Sequence, residues 1–225
     1  MDRFRKYLSE ARIKTFEILD PKKPIELYFQ NVALCESFYP SIHFLEIILR
    51  NRISKALTKV VGSDWVELEQ TNFFYDIELT NLRNAKESLA KTRKELNSDN
   101  MIAELNFGFW LSLFHRKYEA KIWQKKGALQ MVFSNHSNTG LDLNIKNIRA
   151  DLENIRKLRN RIFHHEPIVN LVFSAEALHN LIYFYLESMA PDIVEDIKGV
   201  DSFQETTFRS NSHSNLENKL KNLRI

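Results

Sequence analysis

The chain has 225 residues, 44% of them hydrophobic, and its 16 Phe, 7 Tyr and 3 Trp are ample for a buried core. Only five Gly and five Pro argue for a mainly helical protein, and the single cysteine, Cys35, excludes an internal disulfide framework and any multi-cysteine zinc site. A net charge of +3 with a pI near 8.8 is compatible with an RNA partner but does not select for one.

The predicted elements are helical throughout. A first amphipathic helix covers Phe4 to Leu19 and stops at Asp20-Pro21. Pro24, suited to a first helical turn, opens a second helix that runs to Phe38. Pro40 precedes a third, Ser41 to Val61, stopped by Gly62; a connector follows from Asp64 to Tyr75. A charged surface helix, Asp76 to Leu96, ends in the Asn97-Ser98-Asp99-Asn100 cluster. Asn100 caps an aromatic helix from Met101 to Trp123, and residues 135–140 form a loop. A long helix spans Asn144 to Glu166, and Ser174 caps another that runs to Met189. Strands remain open at Leu68 to Tyr75 and Ile168 to Phe173. The reading is an all-α bundle with one domain over 1–200 and a polar tail over 201–225 that is mobile or a weakly docked helix.

No apolar run reaches the ~18 residues that span a bilayer, and the charged N-terminus has no apolar signal region. The expectation is a cytoplasmic protein with no membrane partner.

Chemistry concentrates in Leu158-Arg159-Asn160-Arg161-Ile162-Phe163-His164-His165-Glu166-Pro167. At 100° per residue, Ile145, Ile148, Leu152, Ile155, Leu158, Ile162 and Phe163 form one apolar stripe, and Arg159 falls inside it. A charge there calls for a paired carboxylate or an anion. Asn160 and His164, four apart, are surface neighbours, and Arg159 lies about 7.5 Å from His164 along the axis. Pro167 stops the helix at Glu166, which sets His164 and His165 in the last turn at the negative end of the helix dipole, where a cation is favoured, and Glu166 adds to this. Histidine is the side chain suited to general acid/base work near neutral pH. Arg159 can stabilise charge developing on a phosphate, and Asn160 can hold the phosphate or the imidazole. With the 2′-hydroxyl of RNA as nucleophile, no metal and no cofactor are needed, and the products end in 2′,3′-cyclic phosphate (or 3′-phosphate) and 5′-hydroxyl. The structural alternative is an ion-paired arginine and dipole-matched histidines with no chemistry at all. Leu49-Arg50-Asn51-Arg52-Ile53 echoes Leu158-Arg159-Asn160-Arg161-Ile162 but has Ser54-Lys55 in place of Phe163-His164. It lacks the proton-transfer group.

A basic stretch, Arg116, Lys117, Lys121, Lys125 and Lys126, with Tyr118 and Trp123 interleaved, is a candidate RNA-backbone surface. The remaining histidines show no metal-ligand spacing.

Arg159, Asn160 and His164 resemble the RNase motif of the HEPN superfamily, R-x4-H, and His165 fits with one more residue between. From about Tyr28 to Ile168 the chain is similar to the Abi-like family of bacterial abortive-infection proteins, AbiD/AbiF type. The similar elements are Phe38-Tyr39-Pro40, Leu45-Glu46 through Leu49-Arg50-Asn51, Asp64-Trp65, Gly108-Phe109-Trp110 with Leu113-Phe114, Tyr118-Glu119, Trp123 and the motif through Ile168. The resemblance implies a HEPN-like helical bundle with additional helices, endoribonuclease activity in phage defence, and a homodimer with a composite active site. It implies RNA as the partner: tRNA, mRNA or a small non-coding RNA. The alternative is a non-catalytic module that holds a guide or regulatory RNA.

Overall fold

A computed structural model describes residues 2–70, 72–125, 127–171 and 174–207. It is all-α, with no strand among the described residues. The open strand at Leu68 to Tyr75 overlaps a 3-10 segment, Trp65–Gln70, and the described part of Ile168 to Phe173 is a loop. Lys126 and the chain beyond 207 lie outside the described residues.

The chain divides into two compact units. The first holds residues 1–42, 158–180 and 195–225; the second holds 43–157 and 181–194.

In the first unit, the helix expected over Phe4 to Leu19 is two: α1 (Asp2–Leu8) and α2 (Glu10–Leu19). Ser9 between them has φ 69, a left-handed conformation that breaks the helical path. Arg5 bridges the break by pairing with Glu10 and Glu17. Pro24 opens α3 (Pro24–Ser37), where its missing N–H leaves no hydrogen bond unmade. Phe16 of α2 meets Tyr28 of α3 edge-on at 5.1 Å. The expected polar tail begins inside this unit's core. Phe203 is 1% exposed, stacks on His179 at 4.0 Å and meets Phe38 at 5.0 Å, while Asp201 bonds His179 Nε2 at 2.9 Å. One apolar ring docks a segment whose composition reads as solvent-facing.

Helix α4 (Tyr39–Val61) enters the second unit at His43. Although no apolar run of 18 was read from the sequence, the helical stretch 24–61 contains an 18-residue window of mean hydropathy 1.3. A third of that window is buried inside the protein, and core helices share this length and composition.

Helix α5 (Asp76–Lys91) stops five residues short of the expected Leu96. Arg93 has φ 55, and the amides of Lys94 and Arg93 bond back to the carbonyls of Leu89 and Ala90, which closes the helix end. The aromatic helix expected over Met101 to Trp123 is broken into α6 (Ser98–Glu104), α7 (Phe107–Ser112), a 3-10 turn (Arg116–Tyr118) and a π turn (Glu119–Trp123). Two asparagines cause the early divisions. Asn97 Oδ1 accepts the Asn100 amide at 2.9 Å, and Asn106 Oδ1 accepts the Phe109 amide at 2.9 Å, each starting a new helix. Trp65 packs among Phe74, Phe109 and Trp110, and Phe114 stacks on Trp123 at 4.6 Å. Short helices α8 (Ala128–Val132) and α9 (His136–Thr139) lead to α10 (Ile145–Phe163). Ser174 Oγ caps α11 (Ala175–Met189) by accepting the Ala177 amide, and α12 (Val194–Lys198) follows a 3-10 turn.

One buried acid organises the aromatic layer. Glu78, 1% exposed, accepts from Lys117 Nζ at 2.8 Å and Tyr118 Oη at 2.7 Å. Burial alone would raise its pKa, but hydrogen bonds from Lys117, Tyr118 and Ser112 outweigh that and hold it below the ordinary glutamate value. A folded value below the unfolded one means stability that is present above the unfolded value and lost as pH falls through the folded one. Glu78→Gln should therefore lower the urea midpoint near about pH 7, with the gap from wild type closing toward about pH 3. A gap independent of pH would mean that Glu78 contributes packing alone. Phe203→Ala should cost about 3–5 kcal/mol in urea unfolding, the loss expected for a buried ring; a mobile tail would show none.

Candidate active site

Helix α10 carries the motif. Asn144 caps it, its Oδ1 accepting the amides of Lys146 at 3.0 Å and Asn147 at 3.3 Å. Ile148, Leu152, Ile155 and Leu158 are buried, as the stripe requires. The stripe then surfaces: Ile162 is half-buried and Phe163 is 47% exposed. Arg159 is consequently half-buried instead of enclosed, and its guanidinium lies over the Phe163 ring at 4.4 Å. Such a cation–π contact contributes about 0.5–1 kcal/mol near solvent and fixes where the guanidinium points. Arg159 Nη1 also reaches Asn160 Oδ1 at 3.5 Å, the long limit of a hydrogen bond.

The helix ends at Phe163, three residues before the expected Glu166. The terminator is a left-handed residue, with the proline only downstream of it. His165 has φ 57, its amide bonds the Ile162 carbonyl at 3.0 Å, and the Glu166 amide bonds the Arg161 carbonyl at 2.8 Å. This paired 5→2 and 6→1 closure is the Schellman arrangement, with histidine where glycine is usual. His164 sits at the cap, its amide on the Asn160 carbonyl at 2.8 Å and its side chain exposed. Among the described residues its imidazole has no hydrogen-bond partner.

Three side chains hold the turn from outside. Arg161 clamps the Pro167 carbonyl with Nε at 3.0 Å and Nη2 at 2.5 Å. Arg12 donates to the His165 carbonyl. Asn31, 3% exposed, accepts the Ile168 amide at 2.7 Å. Glu166, expected beside the histidines, instead lies 3.7 Å from Arg161 Nε, because the left-handed step at His165 redirects the chain. Arg161 was within reach of sequence reading as part of the motif run. Arg12 and Asn31 carry no signal, lying more than a hundred residues away in the chain.

The basic stretch belongs to the second unit and is divided in its roles. Lys117 pairs with buried Glu78, and Lys121 Nζ bonds the carbonyls of Asn72 at 2.7 Å and Phe73 at 2.8 Å. Both lie over the Tyr75 ring, at 4.5 and 4.4 Å. These two serve the fold, whereas Arg116 and Lys125 are exposed. Lys126 lies outside the described residues. In the echo copy, Arg52 bonds the Met131 carbonyl at 3.1 Å and Ser134 Oγ at 3.0 Å, which is scaffold work.

No family model, curated protein or solved structure matches the chain.

His165→Gly should stabilise the protein by about 1 kcal/mol, since glycine removes the left-handed penalty, and His165→Val should destabilise it. Thermal melts of the two variants check this; equal melting points would show that the turn relaxes in solution.

Proposed function

We propose that this chain is a cytoplasmic, metal-independent endoribonuclease of the HEPN type, acting as an abortive-infection effector. The observation that carries the reading is the locked end of α10, which presents an exposed His164 one turn from Arg159 and Asn160. The Schellman closure and the Arg161 clamp fix the backbone under that histidine, so its position is pre-organised before any RNA binds.

The chemistry follows from the side chains. His164 takes the proton of the 2′-hydroxyl, and the 2′-oxygen attacks the adjacent phosphorus. Arg159, rotated off Phe163, stabilises the charge that builds on the non-bridging oxygens. Asn160 positions the phosphate or the imidazole. The departing 5′-oxygen takes a proton from a second acid, His165 or a facing copy of the motif. Phe163 and Val169 leave apolar surface exposed beside the motif, which suits a homodimer with a composite site. Glu166, held toward Arg161, supports the turn and leaves proton transfer to the histidines.

The test is cleavage of pooled tRNA and total RNA in EDTA by wild type and His164→Ala, with end-group analysis. Wild type should leave 2′,3′-cyclic phosphate or 3′-phosphate with 5′-hydroxyl ends, and His164→Ala should fall by about 10²–10⁴-fold. Equal cutting by both proteins would remove His164 from the mechanism. Absence of cutting, with RNA co-purifying, would favour the non-catalytic RNA-holding module.

A further inference from the structure

A second charged feature lies in the second unit. A cleft of about 580 Å³ is walled by Arg116 from the 3-10 turn and by Lys146 and Arg149 from the first turns of α10. All three cations are exposed, and Lys146 and Arg149, three apart, share one face of the helix. Two carboxylates also line it. Glu153 is neutralised by Arg156, with Nε at 2.9 Å and Nη2 at 2.6 Å from its oxygens. That leaves Glu119 against three basic groups. Burial first, then the nearby Arg149 and Lys117, push the pKa of neighbouring His115 below the ordinary value.

The cleft's chemistry selects its ligand. The amides of residues 146 and 147 are already taken by Asn144, so recognition falls to flexible cationic side chains. Ile145 and Ala150 give the cleft an apolar component that suits sugar faces. Phe114 lines it too but is fully buried and stacked on Trp123, so no ring is offered to a base. Spaced cations without a stacking platform match a phosphodiester backbone.

We infer that the Arg116, Lys146 and Arg149 cleft binds the phosphodiester backbone of RNA independently of its sequence. The inference rests on the proposed RNA-directed function and names the surface that holds the RNA. It replaces Lys117 and Lys121, which the fold occupies, with two cations that lie outside the basic stretch.

The test measures fluorescence anisotropy of a labelled uridine oligonucleotide on the full chain carrying His164→Ala, across a KCl series. Each single-strand phosphate contact contributes about 0.7 to the slope of log K against log salt, so the triple variant Arg116→Gln, Lys146→Gln, Arg149→Gln should lose about 2. Binding at low salt should fall by about tenfold or more. Lys14→Gln, Lys91→Gln, Lys94→Gln removes the same charge from exposed positions elsewhere and should leave the slope near wild type. Arg149→Lys, which keeps the charge, should bind within about twofold of the parent protein and guards against misfolding as the cause. An unchanged slope in the first variant, or an equal loss in the control, overturns the cleft while leaving the nuclease reading intact. A wild-type chain that binds through the cleft yet never cuts RNA overturns the nuclease and leaves the cleft. No binding of the uridine oligonucleotide at any salt overturns the cleft and leaves the nuclease to the cleavage test.

Discussion

The closing turn of α10 is the constraint on which the candidate site depends. A non-glycine residue at φ 57 is unfavourable by about 1–2 kcal/mol, yet His165 adopts it. The opposing terms are visible: two backbone hydrogen bonds satisfy the last carbonyls of the helix, Arg161 grips the Pro167 carbonyl, Arg12 holds the His165 carbonyl and Asn31 takes the Ile168 amide. At about 0.5–1.5 kcal/mol net each, these bonds exceed the strain. The consequence is directional. Glu166 is turned toward Arg161, and His164 is left facing solvent at the cap, within one helical turn of Asn160. Strain concentrated at a cluster of reactive side chains is the pattern expected when geometry must be fixed in advance of a ligand.

The two Leu-Arg-Asn-Arg-Ile copies show how far five residues depend on their surroundings. In the first, Arg52 anchors the Met131 carbonyl, and Arg50 Nε is buried without a hydrogen bond among the described residues, its Nη1 3.5 Å from the Ala103 carbonyl. In the second, Arg161 likewise anchors a carbonyl, but Arg159 lies over an exposed ring near solvent. The fourth residue, Arg52 or Arg161, is structural in both copies. Only the copy at a helix end presents its first arginine and a histidine together.

Cations elsewhere divide by the same logic. Lys117 and Lys121 reach inward to a buried carboxylate and to backbone carbonyls, where low dielectric strengthens their contacts. Arg116, Lys146 and Arg149 line a cleft where one of the two acids, Glu153, is already paired with Arg156. Charge counted along the chain does not separate the two sets; the partner each side chain finds does.

The sequence by itself determined the helical class, the cores of α3, α4, α5, α10 and α11, and the cap at Ser174. It also placed Arg159, Asn160 and His164 at one helix end. These are local properties: a 3.6-residue period, or a side-chain oxygen three residues from an amide, is written within one or two turns. Only the tertiary structure decided the rest. It set the left-handed end at His165, the burial of Phe203 and the attachment of Arg12 and Asn31 to the motif turn. Each depends on partners far along the chain, where closure is favoured by burial and hydrogen bonding that no local pattern records.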